Sequence, residues 1–152
     1  GIMIESLRRK KDVLTDILKL SEEQSILLDD PNLEPDTFEK NVNRKAALIE
    51  KLEQLDTGFE SLYDKVKEEL ESNRDIHKEQ IRQMQELIRA LTELNMQIQA
   101  TEARNKEKAT AKFAYIRQQA KEIRSSQKIV KEYYNNMMHK AYNEPHFLDN
   151  KK

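Results

Sequence analysis

Three histidines and 28 Asp and Glu side chains are the groups from which this 152-residue chain would have to build a metal or acid–base site. A di-metal centre inside a helix bundle needs Glu-x-x-His pairs that project inward. The residues three places before His77, His139 and His146 are Arg74, Asn136 and Asn143, so that pattern is missing. The absence of cysteine removes thiolate zinc sites, cysteine nucleophiles and disulfide frames. Gly58, the lone internal glycine, cannot build a phosphate-cradling loop, and neither a nucleophile elbow nor an HExxH sequence occurs. The carboxylates fall on helix-forming stretches rich in Lys and Arg, where exposed intrahelical ion pairs are the expected outcome. We therefore expect no catalytic residue, no cofactor and no metal.

Basic residues raise nucleic acid as a partner. Arg8-Arg9-Lys10-Lys11 forms one run, and Arg104, Lys106, Lys108, Lys112, Arg117, Lys121 and Arg124 form another. Glu102, Glu107 and Glu122 interrupt the second run, and the net charge is only −1, against the strongly basic balance of a nucleic-acid-binding domain. A solvated face explains these residues better. The small total hides an asymmetry. Residues 1–100 hold 15 Lys and Arg against 22 Asp and Glu, a net of −7, whereas residues 101–152 hold 12 against 6, a net of +6. Either the two parts attract each other, or the basic end meets an acidic partner, or a bundle spreads its solvated charge unevenly.

The elements that would carry these residues are helices. Apolar residues make up 37% of the chain and charged residues 36%, against about 45–50% and about 25% in globular proteins. That balance suits long amphipathic helices, and two glycines and three prolines are too few for the turns of a β-rich fold. Ile4, Leu7, Leu14, Ile17, Leu18 and Leu28 predict a helix over about 3–29. Asp29-Asp30-Pro31-Asn32-Leu33-Glu34-Pro35 ends it, because proline removes a donor and restricts the residue before it. Asp36-Thr37-Phe38-Glu39 has the form of a capping box. From there Val42, Leu48, Leu52, Leu55, Phe59, Leu62, Val66 and Leu70 hold a three-four spacing, with either a kink near Asp56-Gly58 or a nearly straight helix allowed. A break at Ser72-Asn73 precedes a third stripe, Ile76, Met84, Leu87, Ile88, Leu91, Leu94 and Ile98. Between Gln99 and Lys112 apolar content falls to alanines, which predicts a helix projecting past the bundle, with an unmarked turn as the alternative.

The last stripe is the richest. Positions 113, 116, 120, 123, 127, 130, 134, 137 and 141 are Phe, Ile, Ala, Ile, Gln, Val, Tyr, Met and Ala, a heptad seam that implies left-handed packing on another helix. The fold class is therefore all-α: an elongated, coiled-coil-like antiparallel bundle of three or four long amphipathic helices in a single domain over 1–152. Segment 113–152 supplies a partner-binding helix and a flexible tail beyond Asn143-Glu144-Pro145. Ile123, Val130, Tyr133, Tyr134, Met137, Met138 and Tyr142 are the candidate partner-binding residues, since methionine adapts to varied surfaces and tyrosine is apolar with a polar tip. The same residues could instead fill the bundle core, and periodicity alone favours that. Burying about four of them at roughly 1.5–3 kcal/mol each yields a gross gain of about 6–12 kcal/mol. Ordering a loose helix removes about 2–5 kcal/mol of it, before the rigid-body cost of association. A reversible, moderate interaction fits that balance.

No window approaches the roughly 18 consecutive apolar residues of a membrane span, and Ile2-Met3-Ile4 is followed at once by charged residues rather than by an apolar signal region. We expect a cytoplasmic chain without stable membrane insertion. Three local features then resemble the FlgN-like flagellar export chaperones: the Leu-rich first helix with its acidic loop; Arg44-Lys45-Ala46-Ala47-Leu48-Ile49-Glu50-Lys51-Leu52 leading into Leu55-Asp56-Thr57-Gly58-Phe59; and the closing Phe147-Leu148-Asp149-Asn150-Lys151-Lys152. The resemblance implies that the amphipathic region from Ile123 to Tyr142 covers the helical terminus of a secreted hook-filament junction protein and that the loaded complex visits the export gate. The basic C-terminal third departs from the acidic tendency of that family. A structural coiled coil that forms homo-oligomers through the seam at 113–141 is the alternative.

Overall fold

The computed structural model describes the backbone of residues 1–119 and 124–142, and the side chains of 1–119 and 127–137. Four helices account for it: α1 (Ile2–Asp29), α2 (Pro35–Ser72), α3 (Lys78–Gln119) and α4 (Arg124–Tyr142). No strand occurs among the described residues. Among them, too, no helix is long and apolar enough to cross a membrane.

The helix ends follow from local chemistry. The Asp30 carboxylate accepts from the Asn32 amide at 2.8 Å and its carbonyl from the Leu33 amide at 3.2 Å, an Asx-type turn that reverses the chain before Pro35. The expected capping box does not form. Glu34 is the N-cap, with no side-chain cap bond, and Pro35 opens the helix with its ring already at a helical φ, which moves the start one residue ahead of Asp36. The break at Ser72-Asn73 does form: the Asn73 amide bonds Glu69 O at 3.0 Å, its side chain bonds the Glu69 carboxylate at 2.9 Å, and a tight turn leads to Lys78.

Consecutive helices run antiparallel. Between α1 and α2 the bonded pairs draw apart along the chain, from Gln24 with Asn41 to Lys10 with Asp56. Between α1 and α3 the bonded residues are always 79 to 84 positions apart, so these two helices run parallel in constant register. Phe38 meets Phe113 edge-on at 5.9 Å, tying the start of α2 to the far part of α3. The core joins Leu7, Leu14 and Ile17 of α1 to Ile49, Leu52 and Phe59 of α2 and to Leu91 and Ile98 of α3. At 28 residues α1 is shorter than α2 with 38 or α3 with 42, so the α2–α3 hairpin continues past its start. No residue from 60 to 90 is fully buried.

Two expectations are corrected. Residues 99–112 do not project past the bundle: Thr101, Glu102, Asn105 and Ala109 are buried, because the face that lacks large apolar groups is packed through polar ones. The seam from 113 to 141 is not one helix either. It is divided between α3 and α4, and α4 folds back so that Ala109 and Phe113 face Val130 and Tyr134 around a cavity of about 50 Å³. Among the described seam residues, Phe113 of α3 thus lies beside Gln127, Val130 and Tyr134 of α4.

At Gly58 α2 is continuous, its φ is negative, and an added Cβ would meet nothing within 4 Å. The helix thus runs through Asp56-Gly58 without a break. Gly58→Ala is expected to stabilise the chain by about 1 kcal/mol. That should raise the midpoint of thermal unfolding by roughly 2–4 °C. A lowered midpoint would mean that α2 bends at this point in solution.

Candidate functional site beneath the last helix

Where α1, α2, α3 and α4 converge, the core is polar. Lys45 of α2 is fully buried, and its ammonium donates to Gln24 Oε1 at 2.9 Å and to Glu102 Oε1 at 2.5 Å. Ser21 donates to the same Glu102 oxygen. Gln24 Nε2 donates to Asn41 Oδ1 at 2.8 Å, and Asn41 Nδ2 to Leu20 O at 3.0 Å. Asn105 Nδ2 donates to Ser21 O at 2.8 Å and, more weakly, to Gln24 Oε1 at 3.4 Å. The Tyr134 hydroxyl of α4 completes the layer by donating to Gln24 Oε1. The rings of Tyr134 and Tyr133 lie 5.6 Å and 5.8 Å from the Lys45 ammonium, within cation–π range.

The electrostatics follow from burial. Desolvation pushes the Lys45 ammonium below its ordinary range, while the charge of Glu102 and its hydrogen bond oppose that shift. Desolvation raises both phenols above their usual value, and the negative charge of Glu102 adds to the effect. A second inward pair, Lys10 with Asp56 at 2.5 Å, joins α1 to α2 farther along the bundle. The expectation of exposed intrahelical pairs holds for Arg9 with Glu5 and for Arg82 with Glu79 and Glu86. It fails for Lys10, Lys45 and Glu102, whose pairs cross between helices.

Of the candidate binding residues, Tyr134 and Met137 are only 1% and 2% exposed, and Val130 and Tyr133 are half-buried. The docked helix therefore turns much of its stripe into the bundle. Ile123 and the side chains of Met138 and Tyr142 lie outside the described residues, as does the tail from 143. Sequence reasoning missed the layer itself. Its signal was phase: Lys10, Ser21 and Gln24 continue the seven-residue repeat of Leu7, Leu14, Ile17 and Leu28. Among the described residues no group of three or more His, Asp or Glu could hold a metal ion. The geometry suits holding helices together.

A family model described as FlgN protein matches residues 2–140. No curated protein and no solved structure matches the chain significantly.

Lys45→Met should destabilise the fold by about 3–5 kcal/mol, since Glu102 is left buried without its counter-charge, whereas Lys45→Met with Glu102→Leu should recover most of the loss. Urea unfolding of the two variants measures this; equal losses would show that the pair is not shut away from water. The raised phenols give a spectroscopic check. A native pKa above the unfolded value of 10.0 makes each phenol's share of stability present below that pH and lost as pH climbs through the raised native value. Absorbance titration should show a late tyrosinate phase that disappears when Tyr133→Phe and Tyr134→Phe are combined.

Proposed function

The chain belongs to the FlgN family of flagellar export chaperones, and from that premise we propose that it acts in the cytoplasm on the helical terminus of a secreted hook-filament junction protein. It keeps that terminus unassembled and export-competent, and the loaded complex then meets a component of the export gate. Members of this family bind flagellar proteins and are not known as enzymes.

The observation that supports this reading is the stripe on α4. Val130, Tyr133, Tyr134 and Met137 give a short helix a wide amphipathic face of the kind that pairs with another amphipathic helix. Because Tyr134 and Met137 are covered when α4 is docked, capture requires α4 to leave the bundle and exchange its internal contacts for those of the client. The net affinity is then the difference between two similar burials, which keeps the complex reversible.

Self-association through 113–141 is less well supported, since Phe113, Val130 and Tyr134 of the seam already face each other within one chain. Co-expression with hook-filament junction proteins, followed by pull-down, tests the leading reading. Wild-type chain should retain such a protein, while Val130→Asp and Met137→Asp should lose it by at least about tenfold with α1–α3 still helical by circular dichroism. If both variants unfold throughout, the stripe serves the core alone. A molar mass that rises with concentration in light scattering would instead favour the oligomer.

A further inference from the structure

Beside Ala109 and Phe113, the floor under α4 contains polar and charged groups: Gln24 accepts from the Tyr134 hydroxyl, and Lys45 lies against both tyrosine rings with Glu102 as its counter-charge. When such a helix lifts away, water reaches whatever it covered. An apolar floor pays the full hydrophobic penalty on exposure, whereas Lys45, Glu102, Gln24 and Asn105 regain hydration. The floor already contains acceptors that find no donor in the closed form: Glu102 Oε2 and Asn105 Oδ1 are buried without a hydrogen-bond partner. Within the closed form the Tyr134 hydroxyl on Gln24 and the two tyrosine rings beside Lys45 match the floor. The α4 face is thus held by a polar fit at its centre and by Met137 and Val130 on either side.

We propose that this polar layer is a latch that sets how often α4 opens, and hence how readily the client-binding stripe becomes available. The inference rests on the reading of α4 as the client-binding helix and adds its regulation. The latch has two opposing parts: the Tyr134 contact holds α4 down, and the wettable floor makes its release inexpensive. Changing either part shifts the open population in a predictable direction. Because the client takes only the open form, its apparent affinity changes by the same factor as the opening constant while the open form is rare.

Two substitutions separate the parts. Tyr134→Phe keeps the ring and the stripe and removes the bond to Gln24, so amide hydrogen exchange over 127–137 should accelerate about five- to tenfold, the size of one net hydrogen bond. Capture of the junction protein retained in co-expression should tighten by the same factor. Lys45→Met with Glu102→Leu gives a more apolar floor in which the methionine thioether takes over the contact with the two tyrosine rings, so exchange over 127–137 should slow by at least about tenfold and capture should weaken in step. Exchange in residues 7–28 serves as the internal control for global stability and is read on the chain alone.

Unchanged exchange over 127–137 in Tyr134→Phe, or faster exchange in the apolar-floor variant, would overturn the latch. So would exchange that shifts as predicted while client affinity stays fixed. If no junction protein binds the wild-type chain, the chaperone reading fails at that step, and the exchange arm still decides whether the layer governs opening.

Discussion

An ammonium group shut inside a helical core has to be met by a counter-charge, and Lys45 imposes that requirement on every helix of this bundle. Its partner Glu102 is 57 residues away along the chain, so satisfying the charge fixes α2 against α3. Gln24 and Ser21 bring α1 to the same point, and Tyr134 brings α4. A sliding of any helix by one turn would separate these groups and strand a charge in a low-dielectric interior. The apolar residues supply the drive to collapse; the polar layer chooses one alignment among those that leucine stripes alone would tolerate.

The same layer helps a chain with modest apolar content close into a bundle, and under the proposal made above it is also what lets one helix exchange. Tyr134 and Met137 are covered as thoroughly as core residues, but the surface beneath them has no need to stay dry. On that proposal, docking and capture are competing uses of one apolar stripe, since Tyr134 and Met137 are covered when α4 is docked. This is a thermodynamic setting suited to a carrier, which has to release its cargo as reliably as it takes it.

Much of the architecture was legible from residue order because strong punctuation and strong periodicity coincided. Asp29 to Pro35 left no way for α1 to continue, and the stripes of α1 and of α2 through Gly58 kept their phase without interruption. Segments 99–112 and 113–141 were harder for one reason: polarity says how a residue likes to be solvated, not which way its helix faces. Lys45 keeps the spacing of Phe38, Ile49 and Leu52 but looks like a surface residue until Glu102 arrives from another helix. The return of α4 onto α3 was hidden for a related reason, since a heptad seam reads alike whether one helix or two carry it. The stripe of α4 was legible as residues, while its burial depended on a groove built by three other helices.

The stepped lengths of the helices carry a consequence for local stability. Four helices share the end that holds Lys45, three continue beside Leu7 and Phe59, and only α2 and α3 remain toward the turn at Asn73. Backbone hydrogen bonds there are shielded by fewer neighbours than beside Lys45, and no residue from 60 to 90 is fully buried. The buried part of the molecule is thus concentrated at the Lys45 end, and the far end is the part expected to open first in hydrogen exchange.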